Sequence, residues 1–180
     1  MFPHNEGRTA ILSAVLTIAV AATPARAQGA VADPRLPSQT ELVSLSGPRF
    51  GLTVLPPALV DSLKNHDIKV GTIITQFGWQ WEKQFLAPGN GIEALSELVV
   101  LVGGLEQGVF LPSATWLVGV RSTSGFELGV GPNVSPAGAA LALAAGTTMR
   151  VGALNVPFNV AAVPSAIGAR ISFLTGFTLR

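Results

Sequence analysis

Residues 126–134, Phe-Glu-Leu-Gly-Val-Gly-Pro-Asn-Val, set apolar side chains at every second position and small or polar ones between most of them. The same period of two recurs along most of the chain after residue 70. Successive side chains of an extended backbone point to opposite faces, so the alternation predicts strands with one apolar and one polar face. About eight such segments can be read, near 49–55, 70–85, 92–102, 109–121, 126–134, 138–151, 156–162 and 169–179. Turn residues separate them, among them Ala87 to Gly91, Ser122 to Gly125 and Gly152 to Asn155, where Gly and Asn accept a positive φ. One segment breaks the period: after Pro56-Pro57, residues Leu59, Val60 and Leu63 have helical spacing, and Pro57 suits a first helical turn. The predicted fold is all-β, an antiparallel up-and-down β-barrel of about eight strands with one short helix after the first.

The two faces differ in kind. One gathers Phe77, Trp79, Trp81, Trp116, Phe173 and Phe177 with many Val, Leu and Ile; the other sets Gln76, Gln80, Asn159 and a few charges among Gly, Ala, Ser and Thr. Charged residues are 12% of the chain, against roughly 25% in ordinary soluble domains. The mean hydropathy is +0.50, yet past the N-terminal segment no apolar run is long enough for a spanning helix. A polar face this poor in lysine and glutamate suits a narrow lumen, and it predicts that the six aromatics named above face lipid. Charges in such a lumen need partners, so Glu82, Glu97 and Glu127 are expected to meet Arg150 and Arg170 in an interior ion-pair network. Alternation alone does not distinguish inside from outside, and a soluble barrel with the faces reversed stays open.

The N-terminal residues read as an export signal. Arg8 precedes an apolar run from Ala10 to Ala22, and Ala25-Arg26-Ala27 supplies small residues for a cut after Ala27. The expected division is 1–27 signal peptide, 28–48 flexible periplasmic arm and 49–180 barrel. With no cysteine, neither a disulfide nor a lipid-bearing cysteine anchor can form. A net charge of +1 gives no electrostatic case for nucleic acid.

The segments "GPRFGLTVL" (47–55), "QFGWQWEKQF" (76–85), "LVGGLEQGVFLPSATWLVGVR" (101–121), "GFELGVGPNVS" (125–135) and "ARISFLTGFTLR" (169–180) resemble the strand repeats of small bacterial outer-membrane β-barrel proteins, in a porin-like or adhesin-like style. The resemblance implies the outer membrane of a Gram-negative bacterium, both termini in the periplasm, outer-membrane lipid around the wall and insertion by the barrel-assembly machinery. Many such proteins finish on an aromatic residue; this chain finishes Phe177-Thr-Leu-Arg180.

Material for catalysis is sparse. Past the signal the chain has one histidine, His66, and no tyrosine. His66 with Asp61, Asp67 and Ser62 is the one triad to weigh, and these residues read as a solvated helix end. No metal-ligand spacing, phosphate loop or cofactor motif is visible, so no cofactor and no enzyme activity are expected. Three readings follow: a membrane barrel with a structural, adhesive or narrow-transport role and specificity in the 56–69 segment; a secreted or periplasmic soluble barrel holding an apolar ligand; and an outer-membrane enzyme acting on lipid.

Overall fold

The computed structural model describes residues 44–86 and 91–179. The expected signal segment 1–27 and residues 28–43 of the expected arm lie outside them. Strand β1 (Gly47–Val54) is followed by helix α1 (Pro57–Lys64), β2 (Ile73–Leu86), β3 (Ile92–Gly103), β4 (Leu111–Ser122), β5 (Phe126–Ser135), β6 (Gly138–Val151), β7 (Leu154–Val163) and β8 (Arg170–Gly176), with a two-residue β9 (Thr178–Leu179) closing the series. A short 3-10 helix, Leu105–Gln107, lies between β3 and β4. From β1 to β8 each strand pairs antiparallel with its successor, and β8 pairs antiparallel with β1 as well. The ring therefore closes, and the protein is an eight-stranded antiparallel β-barrel.

The sequence signals for this ring act locally. Hairpins turn at glycines with positive φ, including Gly125 (84°) and Gly152 (61°), a conformation that costs other residues energy. Strand β9 continues β8 against β7 in the same register, and the gap at Phe177 falls opposite the stretch of β7 holding Pro157, which has no N–H to donate. The Thr175 hydroxyl donates to the Pro157 carbonyl at 2.9 Å. Eight strands make a tight ring, so neighbouring backbones crowd on the lumen side. Gly131 shows the constraint: a Cβ built there would run into the Trp116 carbonyl oxygen more closely than real Cβ atoms approach. Gly131→Ala is expected to cost about 1–3 kcal/mol, since backbone on both strands must shift; a urea titration of the folded barrel reads it as a lower midpoint.

Helix α1 is too short to be stable on its own. Its apolar side, Leu59, Val60 and Leu63, is buried with Leu55, Val70, Ile74 and Leu111 at one end of the barrel. Pro57 starts it, and Asp67, with φ 62°, turns the chain out of it so that the Ile68 amide reaches the Leu63 carbonyl at 3.0 Å.

Outside, apolar side chains stand on every strand, from Phe50 on β1 through Trp79, Leu98, Trp116, Val130 and Leu143 to Phe158 and Phe173, each at least about a third exposed. Among the described strand residues Lys83 is the one charge of this outward parity. Trp116 satisfies its indole N–H on the wall itself, donating to Ser96 Oγ at 2.8 Å.

Candidate functional site

The barrel interior divides in two. At the end holding the start of β1 and the hairpin turns β4–β5 and β6–β7, polar side chains pack the lumen. Arg121 on β4 stands between two carboxylates: its Nε donates to Glu127 Oε1 at 2.7 Å and its Nη1 to Glu82 Oε1 at 2.7 Å, with Nη2 against Glu82 Oε2. Arg49 on β1 donates from Nε to Gln80 Oε1 at 3.0 Å, and Gln80 Nε2 donates onward to Glu97 Oε1 at 3.0 Å. All six of these side chains are buried. The segment before β1 joins them: Leu45 is 2% exposed, its amide donates to Glu82 Oε1 at 3.2 Å and its carbonyl accepts from Arg49 Nη2 at 2.6 Å. Two arginines and three glutamates thus close this half as a plug of side chains held across the lumen. Each of the five takes part in at least one of these hydrogen bonds, and such partners are the condition for keeping charge in a low-dielectric interior.

The expected arginines stand elsewhere. Arg150 is exposed near the β6–β7 turn, its backbone paired with Asn155. Arg170, at the start of β8 and the opposite end of the barrel, donates from Nη1 to Ser135 Oγ and from Nη2 to Asn133 Oδ1, each at 2.7 Å. The structure brings Glu82 and Glu127 together on Arg121, and it links Glu97 to Arg49 through Gln80. Alternation along β4 puts Arg121 on the face opposite Trp116 and Val118, but the sequence carries no signal that joins β2, β4 and β5 across a closed ring. The aromatics Phe77, Trp79, Trp81, Trp116, Phe173 and Phe177 all lie exposed on the outer surface.

The half toward α1 is a cavity. The positions open to the centre of a water molecule amount to about 90 Å³, where a single water needs roughly 10–15 Å³. Val99, Leu101, Leu117, Ala142, Val163 and Leu174 line its shaft, Gln80 and Glu97 its floor, and Leu59, Pro136, Ala137 and Arg170 its rim. The sequence reading expected small and charged residues throughout the lumen. The large apolar ones come from several strands, Val99 and Leu101 from β3, Leu117 from β4, Val163 from β7 and Leu174 from β8, and β3 is apolar toward both faces over Leu98 to Val102. Some polar groups of the shaft satisfy one another: Thr53 Oγ1 donates to Gln76 Oε1 at 2.5 Å and lies 2.7 Å from Ser172 Oγ, whereas the buried Asn159 Oδ1 has no hydrogen-bond partner among the described residues.

Loop groups frame this end. Glu106 accepts the Thr75 amide at 2.8 Å and its hydroxyl, and that hydroxyl bond holds the exposed carboxyl below the usual carboxylate range. His66 Nδ1 lies 2.9 Å from the Ser62 carbonyl oxygen, and Asp61 pairs with Lys64 at 3.2 Å. The Ser62 hydroxyl, His66 and an acid are therefore not joined in a relay.

The class these features define is an eight-stranded antiparallel barrel with an apolar outer wall and a lumen plugged at one end. Comparison with family models, with curated proteins and with solved structures gave no match.

Proposed function

We propose that the chain is an outer-membrane β-barrel of a Gram-negative bacterium whose closed lumen serves as a binding chamber and not as a conducting pore. The observation that carries this reading is the outer wall, where exposed Phe, Trp, Leu and Val stand on every strand. Contiguous exposed apolar surface beyond a few hundred Å² is rare on soluble monomers, whereas a membrane barrel presents such a band to lipid. On this reading an N-terminal signal directs export, the barrel-assembly machinery inserts the wall, and both termini stay in the periplasm. The α1 segment and its charged residues then face the cell exterior. The polar plug argues for a chamber, since a stream of ions would have to break the Arg121 and Arg49 bonds in transit, and the role left open is adhesive or structural recognition at the α1 end.

The test is fractionation. The protein is expected in the outer-membrane fraction, soluble only with detergent, and faster on a gel unboiled than boiled. Protease on intact cells is expected to cut near Lys64 or Lys69; cutting only after the outer membrane is opened reverses the orientation. The apolar cavity favours one rival, a soluble barrel holding an apolar ligand. Recovery as a detergent-free soluble monomer decides for that rival.

A further inference from the structure

The cavity in the α1 half of the lumen has three features that describe an occupant. Its rim carries a cation without a counter-charge: among the described residues no carboxylate pairs with Arg170, whose contacts are the neutral Ser135 Oγ and Asn133 Oδ1. Its shaft is mainly apolar, lined by Val99, Leu117, Ala142 and Leu174, and of its polar groups Thr53, Gln76 and Ser172 bond to one another. Its bore is slender. The lining on β4 runs from Leu111 to Leu117, a depth of roughly 15 Å at about 3.3 Å per residue and a strand tilt of about 40°. Spread over that depth, the space admits one extended chain of about ten carbons and has no room for two side by side.

We propose that this half of the barrel binds a single-chain amphiphile with an anionic head, the head on the Arg170 guanidinium and the hydrocarbon down the shaft past Leu117 and Ala142. A guanidinium offers parallel N–H donors to a carboxylate, and Arg170 has the two neutral partners that hold it in place at the rim. The closed floor limits chain length, because Gln80 and Glu97 are tied into the plug and do not yield to a longer tail. The inference rests on the membrane reading above for its source of ligand, since single-chain amphiphiles concentrate in and beside a bilayer.

The experiment uses the full barrel in phosphatidylcholine nanodiscs, with 13C-methyl labels on Leu, Val and Ala, titrated with sodium decanoate, 1-decanol and decyltrimethylammonium; protein-free discs correct for partitioning. Saturable shifts of the Leu117, Ala142 and Ala144 methyls are expected with decanoate, which should bind about tenfold more tightly than the cationic amphiphile. Arg170→Gln is expected to weaken decanoate about tenfold and leave decanol within about twofold, with Arg170→Lys restoring part of the preference. Ala142→Phe fills the shaft and removes both; if that variant lacks the fast-migrating unboiled band, Ala161→Leu replaces it. Disc-embedded wild type whose lumen methyls do not saturate overturns the inference and leaves the membrane reading standing, and so does equal affinity for the two charged heads. Protein that stays out of the discs overturns the membrane reading, and the same titration on the soluble protein then decides the lumen site by itself.

Discussion

Val130→Arg is expected to cost about 2–4 kcal/mol of folding free energy in a phosphatidylcholine bilayer. Val130 stands near the middle of β5, pointing outward between Val118 on β4 and Leu143 on β6, and is 45% exposed. In lipid a guanidinium at mid-depth must leave water or thin the bilayer around it. Phe126→Arg, at the first residue of the same strand, should cost only about 0–1 kcal/mol, because near the interface the head group can reach water. The contrast with depth is the signature. In a soluble barrel both positions are ordinary surface sites, where a substitution shifts stability by about 0.5 kcal/mol or less. Urea titrations of liposome-folded protein, followed by the folded band of unboiled samples, give both values. Equal and small effects at the two sites would remove the membrane reading.

The ring itself was legible because its signals are local. Strand segments, the helix after Pro57 and the turns at Gly125 and Gly152 each follow from a few adjacent residues, and the expected strand 138–151 coincides with β6. The end of the chain was less plain: a single strand to 179 was expected, and Pro157 on the neighbouring β7 interrupts it at Phe177. Within the lumen, parity told which residues point inward and nothing about how high they stand or what lies across from them. Glu82 and Arg121 meet although 39 residues separate them, since their strands flank β3 and their side chains reach over it. Arg150 shares the inward parity of Ala142 and Ala144, yet near its hairpin turn it is exposed, and Arg170 sits at the other end of the barrel from the plug. Arg49 was visible as the polar neighbour of Phe50, but its bond to Gln80 depends on β1 and β2 pairing around the helix between them. The apolar shaft was hidden for a further reason: Leu95, Val99 and Leu101 look like ordinary strand residues until the closed ring places them inside while Leu98 and Val100 stand on the outer wall.

Arg121→Met is the substitution expected to weaken the barrel most. The arginine holds Glu82 through two nitrogens and Glu127 through a third, and Thr148 Oγ1 adds a contact to Glu127 at 3.3 Å. Removing the cation leaves two carboxylates buried beside one another, and breaking a buried pair in this way costs about 3–5 kcal/mol. Leu45 and the strand start behind it should loosen as well, since Glu82 accepts the Leu45 amide. The loss does not measure what the plug contributes to stability, and a combined variant separates the two. Arg121→Met with Glu82→Gln and Glu127→Gln replaces the charges on both sides, and it should recover most of the lost stability, because neutral groups of similar shape are far less costly to bury than unpaired charges. The same triple variant then addresses closure. If the ion pairs alone block the lumen, planar bilayers carrying it should pass current where the wild type does not; if packing by Arg49, Gln80 and Leu45 is sufficient, both stay silent. Urea midpoints that fall equally for the single and the triple variant would mean that the three charges do not act as one unit.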